Sequence, residues 1–303
     1  YLDNLPDMVS ADLRLRAKFL QDGTTTGRMS SNNPNLQNIP VSTDEEGRNV
    51  RKAFIAEKGK KLVALDYSQI ELRIAAMLSK DKKLIDIFKS GKDVHQAVAS
   101  EVFNVSIDKV TPEMRKQAKV INFGIMYGMG VNALRQNLSA GGQVISRDEA
   151  QKFLNDYFDT FSGLAKYLDK VKEETKRLGY TETFFGRRRY FEGIRSPMPF
   201  IKAMAERMAI NAPIQGTEAD IIKLAMIQVE AWLKKEKLES DVRILLQVHD
   251  ELVYEICEDK VSKVAPEIIK IMESVIDPKK ISGIVCKAEA SIGANWGEME
   301  HLV

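Results

Sequence analysis

Asp66 closes a short apolar run, Lys61 to Asp66, and Asp250 sits between two more, Leu245 to Val248 and Glu251 to Tyr254. Either aspartate alone is an ordinary turn former. Three acids, Asp66, Asp250 and Glu251, on two strand ends of one sheet are held rigidly enough to make a metal site. The chain has two cysteines and three histidines, with no CxxC or HxxxH cluster. Zinc is therefore not expected, and oxygen ligands point to magnesium.

A second group lies in RKQAKVINFGIMYG, Arg115 to Gly128. Arg115, Lys119, Phe123 and Tyr127 recur every fourth residue, so each turns about 40° past the last and all four share one side of a helix about 18 Å long. Two cations followed by two rings match a nucleoside triphosphate laid along the helix, phosphates at the cations and sugar and base at the rings. Gly124 and Gly128 each cost roughly 1 kcal/mol of helix propensity, which is expected where something must approach the backbone closely. The plainer alternative is a partly buried amphipathic helix with snorkelling cations; the glycines count against it.

These groups need elements to position them. Lys61–Asp66 reads as a buried strand and Gln69–Ser79 as a helix with Ile70, Ile74 and Met77 on one stripe. Helices are expected over Lys92–Phe103, Pro112–Tyr127 with proline at its start, Asp148–Phe158 behind the capping box Ser146–Glu149, and Leu164–Leu178 ending at Gly179. Beyond Ser196, helices over Phe200–Asn211 and Thr217–Leu238 precede two apolar strands in Arg243–Ile256. A helix over Lys263–Ile276 follows, then a strand over Ile284–Ile292 whose alternate residues face one way. The middle is nearly all helical and both flanks supply strands, so the fold class is α+β: a sheet domain with a helical insertion.

The 303 residues, 44% hydrophobic and 29% charged, suit one large globular domain or two intimate subdomains. No run approaches the roughly 18 apolar residues of a membrane span, and no signal peptide is visible. The net charge is only +2, so a nucleic-acid surface must come from segregated charge. Two cysteines suit a reduced, cytoplasmic setting. The opening Tyr1 in place of Met suggests a piece of a longer protein.

The chain resembles the family A DNA polymerases, of which bacterial DNA polymerase I is the type. DYSQIELR (Asp66–Arg73), RKQAKVINFGIMYG and VHDE (Val248–Glu251) look like that family's motifs A, B and C. TTGRMSSNNPNLQNIP (Thr25–Pro40) looks like its segment contacting primer–template. The resemblance implies a right-hand polymerase fold: an antiparallel palm sheet flanked by helices, over residues 1–74 and 206–303, with inserted all-helical fingers over 75–205. It implies two magnesium ions, replaceable by manganese, on Asp66, Asp250 and the backbone carbonyl of Tyr67, with Glu251 in support. Arg115, Lys119 and His95 would meet the triphosphate, Lys119 also protonating the pyrophosphate. Phe123 would pack on the sugar and base, Tyr127 would line the base pocket and hydrogen-bond Glu71, and Gln69 would be a further nucleotide-binding residue. Glu71 would occupy the space of a ribose 2′-hydroxyl. Arg28, Asn35, Gln37, Arg207, Asn211, Gln215 and His249 would contact primer–template DNA. Deoxynucleoside triphosphates and DNA are the implied partners of a monomeric enzyme.

In members of this family a thumb, and in most bacterial ones an exonuclease domain, precede the segment that begins here at Tyr1; neither is expected in these residues, and weak primer–template binding is the expectation. Pro213 argues against a single straight helix through Arg207, Asn211 and Gln215. The run Arg187–Arg188–Arg189 is a possible grip on template phosphate and is outside the expected site. Two other readings compete: a phage-type single-subunit RNA polymerase, against which Glu71 and TTGRMSS speak, and a DNA-binding relic, against which Asp66, Asp250, Lys119 and Arg115 speak.

Overall fold

The computed structural model describes residues 5–40, 50–139 and 144–302. The chain forms two compact units. One comprises Tyr1–Ile70, Glu218–Ile276 and Cys286–Val303; the other comprises Glu71–Thr217 and Asp277–Val285. The expected boundaries at 74/75 and 205/206 thus fall inside helices, and the short stretch Asp277–Val285 joins the helical unit. Arg73 holds it there, donating from Nη1 to the Val285 carbonyl at 2.9 Å.

The first unit is built on a small hairpin, β1 (Lys18–Leu20) with β2 (Ser30–Asn32), and a five-stranded antiparallel sheet. The sheet's central strand is β3 (Lys60–Tyr67). In spatial order it contains β6 (Val242–Val248), β7 (Glu251–Cys257), β3, β8 (Ala288–Asn295) and β9 (Glu298–Leu302). Side chains alternate across a strand. Leu62 and Ala64 therefore meet Leu36, Ile39, Val253 and Trp296 in one core cluster. Tyr67 faces the other way and donates its hydroxyl to the Met272 carbonyl at 2.7 Å, on the helix that packs against β3 and β8. Asp66 lies on the Leu62–Ala64 side, where β3 ends and the apolar layer gives out.

The second unit is helical. It holds α1 (Ile70–Ser79), α2 (Lys82–Lys89), α3 (Val94–Val102), α4 (Pro112–Met126), α5 (Val131–Ser139), α6 (Arg147–Thr160) and α7 (Ser162–Leu178). A hairpin follows, β4 (Tyr180–Glu182) with β5 (Arg188–Tyr190). Caps explain the boundaries. Asp81, Asp93, Thr111 and Ser146 each accept a backbone N–H in a first turn, which supplies orphan donors with partners. The Ser146–Glu149 capping box is present, and Gly179 ends α7 at φ 83°.

Two expectations are corrected. The pair of helices around Pro213 is one element, α8 (Pro199–Glu236), with the proline inside it. An interior proline costs about 3 kcal/mol. Here Ala205, Ala209 and Ala212 pack closely on Phe191 and Ile194, and that burial keeps the helix continuous. The last helix is α9 (Val261–Ser274). The strand expected from Ile284 begins only at Ala288, because β3 ends at Tyr67, the residue paired with Ala288. Among the described residues no helix is long and apolar enough to cross a membrane.

Candidate active site

In the sheet unit, a two-residue connection, His249–Asp250, joins β6 to β7, with His249 left-handed at φ 55°. The turn is anchored twice: Gln247 Nε2 donates to the His249 carbonyl at 2.6 Å, and Tyr67 N–H donates to the Asp250 carbonyl at 3.2 Å. The second bond ties the turn to the end of β3. Asp66 pairs in register with Glu251 on one side and Glu289 on the other.

The acids are crowded. Burial, then Asp250, Glu251 and Glu289, push the Asp66 carboxyl well above the carboxylate range. The side chain of Asp66 keeps an open edge to solvent, so we attribute the upward direction chiefly to the neighbouring like charges. Burial also raises Asp250, against the lowering charges of His249 and Arg28. The Asp66 and Asp250 carboxyls are close enough to act on each other electrostatically, a like-charge arrangement that a divalent cation relieves. Glu251 is turned to a different task. It accepts the Trp296 indole N–H at 3.0 Å, and Arg51 lies 4.0 Å over that indole. Burial raises Glu251, while the indole and Arg51 pull it back.

The expected three-acid centre is therefore a pair with a braced neighbour. Among the described residues no group of three or more His, Cys, Asp or Glu side chains gathers as a metal cage. Two carboxylates still fit magnesium, which takes one or two and completes its shell with water and substrate oxygens.

Around this pair, Arg28 makes a 2.5 Å ion pair with the buried Glu218. Asn35 accepts the Gln37 N–H at 3.0 Å. Gln37 Nε2 donates to the Met29 carbonyl, the Gln247 carbonyl and Gln247 Oε1 at 3.0–3.2 Å. Gln247 thus links Gln37 to His249. Sequence reasoning missed it, although an amide inside the apolar run ILLQV was a visible signal. Glu289 and Trp296 were also missed; only strand register and packing reveal them. Gln69, at φ 54°, immediately precedes α1, and Glu71 is buried in that helix's first turn.

In the helical unit, Arg115, Lys119, Phe123 and Tyr127 are all exposed and lie in one row. Phe123 and Tyr127 are 37% and 44% exposed, which is unusual for rings on a helix whose other side is core. Tyr127 is the cap residue just past α4. Arg115 is held by Asp93 at 2.7 and 3.3 Å. Burial draws Asp93 upward, but Arg115 and the Gln96 N–H outweigh it and keep the carboxyl low. Asp93, which the sequence reading had not singled out, therefore both caps α3 and orients the first cation.

His95 was expected to meet phosphate. It is buried, with Nδ1 3.1 Å from Asn122 Nδ2 and its ring 6.0 Å from that of Phe123. Burial pushes its pKa down to about 4, aided by Lys119 and Arg115. It is a neutral ring backing Phe123, not a cation. The glycines also differ from expectation. Met129 crosses Gly124, where an added Cβ would stand 3.3 Å from its sulfur. Gly128, at φ 63°, lies against the Arg207 backbone, where an added Cβ would stand 3.2 Å from Cα. Both close approaches are made by the chain itself. The Gly128 contact brings exposed Arg207 beside the aromatic end of the row. Asn211 and Gln215 follow on α8, and the half-buried Asn211 Oδ1 has no hydrogen-bond partner. The Arg187–Arg189 run is engaged internally: Arg187 reaches the Gly216 carbonyl, Arg188 pairs with Glu182, and Arg189 lies over Phe191.

The sequence profile described as DNA polymerase family A matches residues 1–298. The thermostable DNA polymerase I of Thermus aquaticus is 45% identical over 297 residues, 98% of this chain and 34% of that protein. DNA polymerase I of Pseudomonas aeruginosa is 43% identical over 299 residues, again 98% of this chain and 31% of that protein. The chain thus spans about a third of the length of these relatives. A solved structure, the POL domain of Pol1 from M. smegmatis in complex with DNA primer-template and dNTP, superposes with a TM-score of 0.90 at 41% identity, over 98% of this chain and 50% of that one. With the profile matched along almost its whole length, this chain belongs to DNA polymerase family A.

Proposed function

We propose that the chain carries the polymerising chemistry of a DNA-directed DNA polymerase: template-directed addition of deoxynucleotides to a primer 3′-hydroxyl, with release of pyrophosphate. The observation that carries this is the Asp66–Asp250 pair, two acids brought to the same end of a rigid sheet by the Asp66–Glu251 register and by the Tyr67 N–H bond to the Asp250 carbonyl. Family membership and the similar solved POL domain in complex with DNA primer-template and dNTP support it.

Asp66 and Asp250, with the Tyr67 carbonyl, would hold two magnesium ions. Bound there, the cations supply charge neutralisation at the attacking and leaving oxygens. The rest falls to the protein. Arg115, already aimed by Asp93, and Lys119 bind the triphosphate and fix its direction. Lys119 would act as the acid toward the departing pyrophosphate. Phe123, backed by His95, and Tyr127 would give the sugar and base an apolar platform, and Gln69 would be a further contact of the nucleotide. Glu251, braced by Trp296, keeps the β7 end in place. Arg28, Asn35, His249, Arg207 and Asn211 would offer donors to the minor groove; Gln37, whose amide already donates to Met29 and Gln247, and the buried Gln215 would serve by position. The groove's acceptors are nearly the same for every base pair, so such donors test pairing geometry without reading sequence. A monomer acting in the cytoplasm, where its DNA lies, completes the reading.

The sugar gate separates this proposal from a ribonucleotide polymerase. Glu71→Ala should admit ribonucleotides while wild type prefers deoxynucleotides. Primer extension with each triphosphate set checks it, and ribonucleotide preference in wild type would favour the RNA polymerase reading.

A further inference from the structure

Glu218, in the second half of α8, is 1% exposed. A carboxylate buried in this way is costly unless it is paired. Its partner is Arg28, whose Nη2 donates to Oε2 at 2.5 Å. A buried ion pair contributes little net stability, and apolar residues of similar size often serve a fold as well.

The loop that carries Arg28 is placed by other bonds. It joins β1 to β2, which pair in register. Thr24 donates its hydroxyl to the Arg28 carbonyl at 2.7 Å, and Gly27 turns the chain at φ 86°. Gln37 Nε2 donates to the Met29 carbonyl at 3.2 Å, and Lys223 Nζ on α8 donates to the Gln21 carbonyl at 3.0 Å. These contacts fix the backbone on either side of Arg28. What Glu218 adds is a fixed head. The Arg28 side chain is 27% exposed, so part of it is open to solvent. Its charge also lies near enough to Asp250 to draw that carboxyl down. The donors of a guanidinium form a rigid planar fork, so holding one of them on a buried anchor sets the direction of the rest.

We propose that Glu218 is a positioning residue for Arg28, and that it makes recognition of the primer end strict. The inference rests on the polymerase reading above, in which Arg28 offers donors to the minor groove. The acceptors there are nearly the same for every correct pair, and a mispair displaces them. A donor held in one direction loses its bond to a displaced acceptor, whereas a loose one follows it. The rigidity of Arg28, more than its charge, then separates a paired primer end from a mispaired one.

The test is single-turnover extension, at saturating primer–template, from primers that end in a paired or a mispaired base. Glu218→Ala should lower the ratio of paired to mispaired rates about tenfold, the lower limit for one charge-assisted hydrogen bond. The change should come chiefly from faster extension of the mispaired end, with the KM for the incoming dNTP on the paired end unchanged. In an Arg28→Ala background, Glu218→Ala should have no further effect on the ratio. A ratio that Glu218→Ala leaves unchanged, or that falls as much without Arg28 as with it, overturns the proposal. If circular dichroism shows that Glu218→Ala does not fold, Glu218→Gln decides, since it keeps the size and loses the charge; a ratio equal to that of wild type overturns the proposal. A wild type that extends both ends equally overturns it and leaves the polymerase reading standing. A wild type that extends neither removes the polymerase reading and this inference with it.

Discussion

Replacing Trp296 with phenylalanine isolates the brace behind the acidic pair. Trp296 is almost fully buried, meets Phe54 edge-on at 5.8 Å, carries Arg51 over its face and donates its indole N–H to Glu251 at 3.0 Å. Phenylalanine keeps an aromatic ring in the Leu62–Val253 cluster and removes the donor. A hydrogen bond to a charged group contributes about 1.5–3 kcal/mol, and the lost ring volume adds about 1 kcal/mol. Trp296→Phe should therefore destabilise the sheet unit by about 3 kcal/mol. In a Glu251→Met background, where no acceptor remains, the same change should cost only the packing share. Urea unfolding followed by circular dichroism at neutral pH, on the four proteins of this cycle, gives a coupling of about 2 kcal/mol if the bond acts as described. Equal costs in both backgrounds would show that Trp296 acts through packing alone, and that Glu251 is not held by it.

Other consequences concern the helical unit. His95 has its pKa pushed from 6.5 to about 4, so the unfolded chain takes up a proton in that window that the folded chain refuses. Its contribution to stability is complete above about pH 6.5 and falls by up to about 3 kcal/mol toward pH 4; unfolding across that range should lose this slope in His95→Gln, and an unchanged slope would contradict the neutral, buried ring. Gly128→Ala places a side chain at φ 63° with its Cβ 3.2 Å from the Arg207 backbone. The left-handed conformation alone costs about 1–2 kcal/mol, so a lowered unfolding midpoint is expected, and an unchanged one would refute the close contact.

The parts of the fold visible in the sequence are those governed by local rules. The capping box at Ser146 and the left-handed Gly179 are set within a few residues, and both form where their patterns stand. The fourfold spacing of Arg115, Lys119, Phe123 and Tyr127 likewise becomes an exposed row, because helical periodicity alone decides it. What escaped depends on distant partners. The strand expected at Ile284 has the right alternation, but its ladder with β3 begins only at Ala288, with one further bond from the Ser68 N–H to the Lys287 carbonyl at 2.8 Å. The strand β9, charged along much of its length, gives little apolar pattern and exists because β8 is beside it. Pro213 reads locally as a break, yet alanine packing carries the helix through it. At the site, the aspartates are legible as strand-end acids, whereas the diversion of Glu251 to Trp296 and the flanking of Asp66 by Glu289 arise only from cross-strand register. The glycines in and just after α4, Gly124 and Gly128, mislead for the same reason: the groups approaching them, Met129 and Arg207, come from the chain's own folding.

The central claim is that Asp66 and Asp250 act together as the metal-holding pair of a DNA polymerase. Its most direct test is primer extension over a magnesium titration by wild type, Asp66→Asn and Asp250→Asn, with primer–template affinity measured on the same proteins. Charge stabilisation by bound metal contributes several kcal/mol to such a transition state. At about 1.4 kcal/mol per tenfold, each substitution should lower extension by about 1000-fold or more, while DNA binding stays within a few-fold of wild type. Extension that persists near the wild-type rate in either variant, or that proceeds in wild type without a divalent cation, would contradict the account.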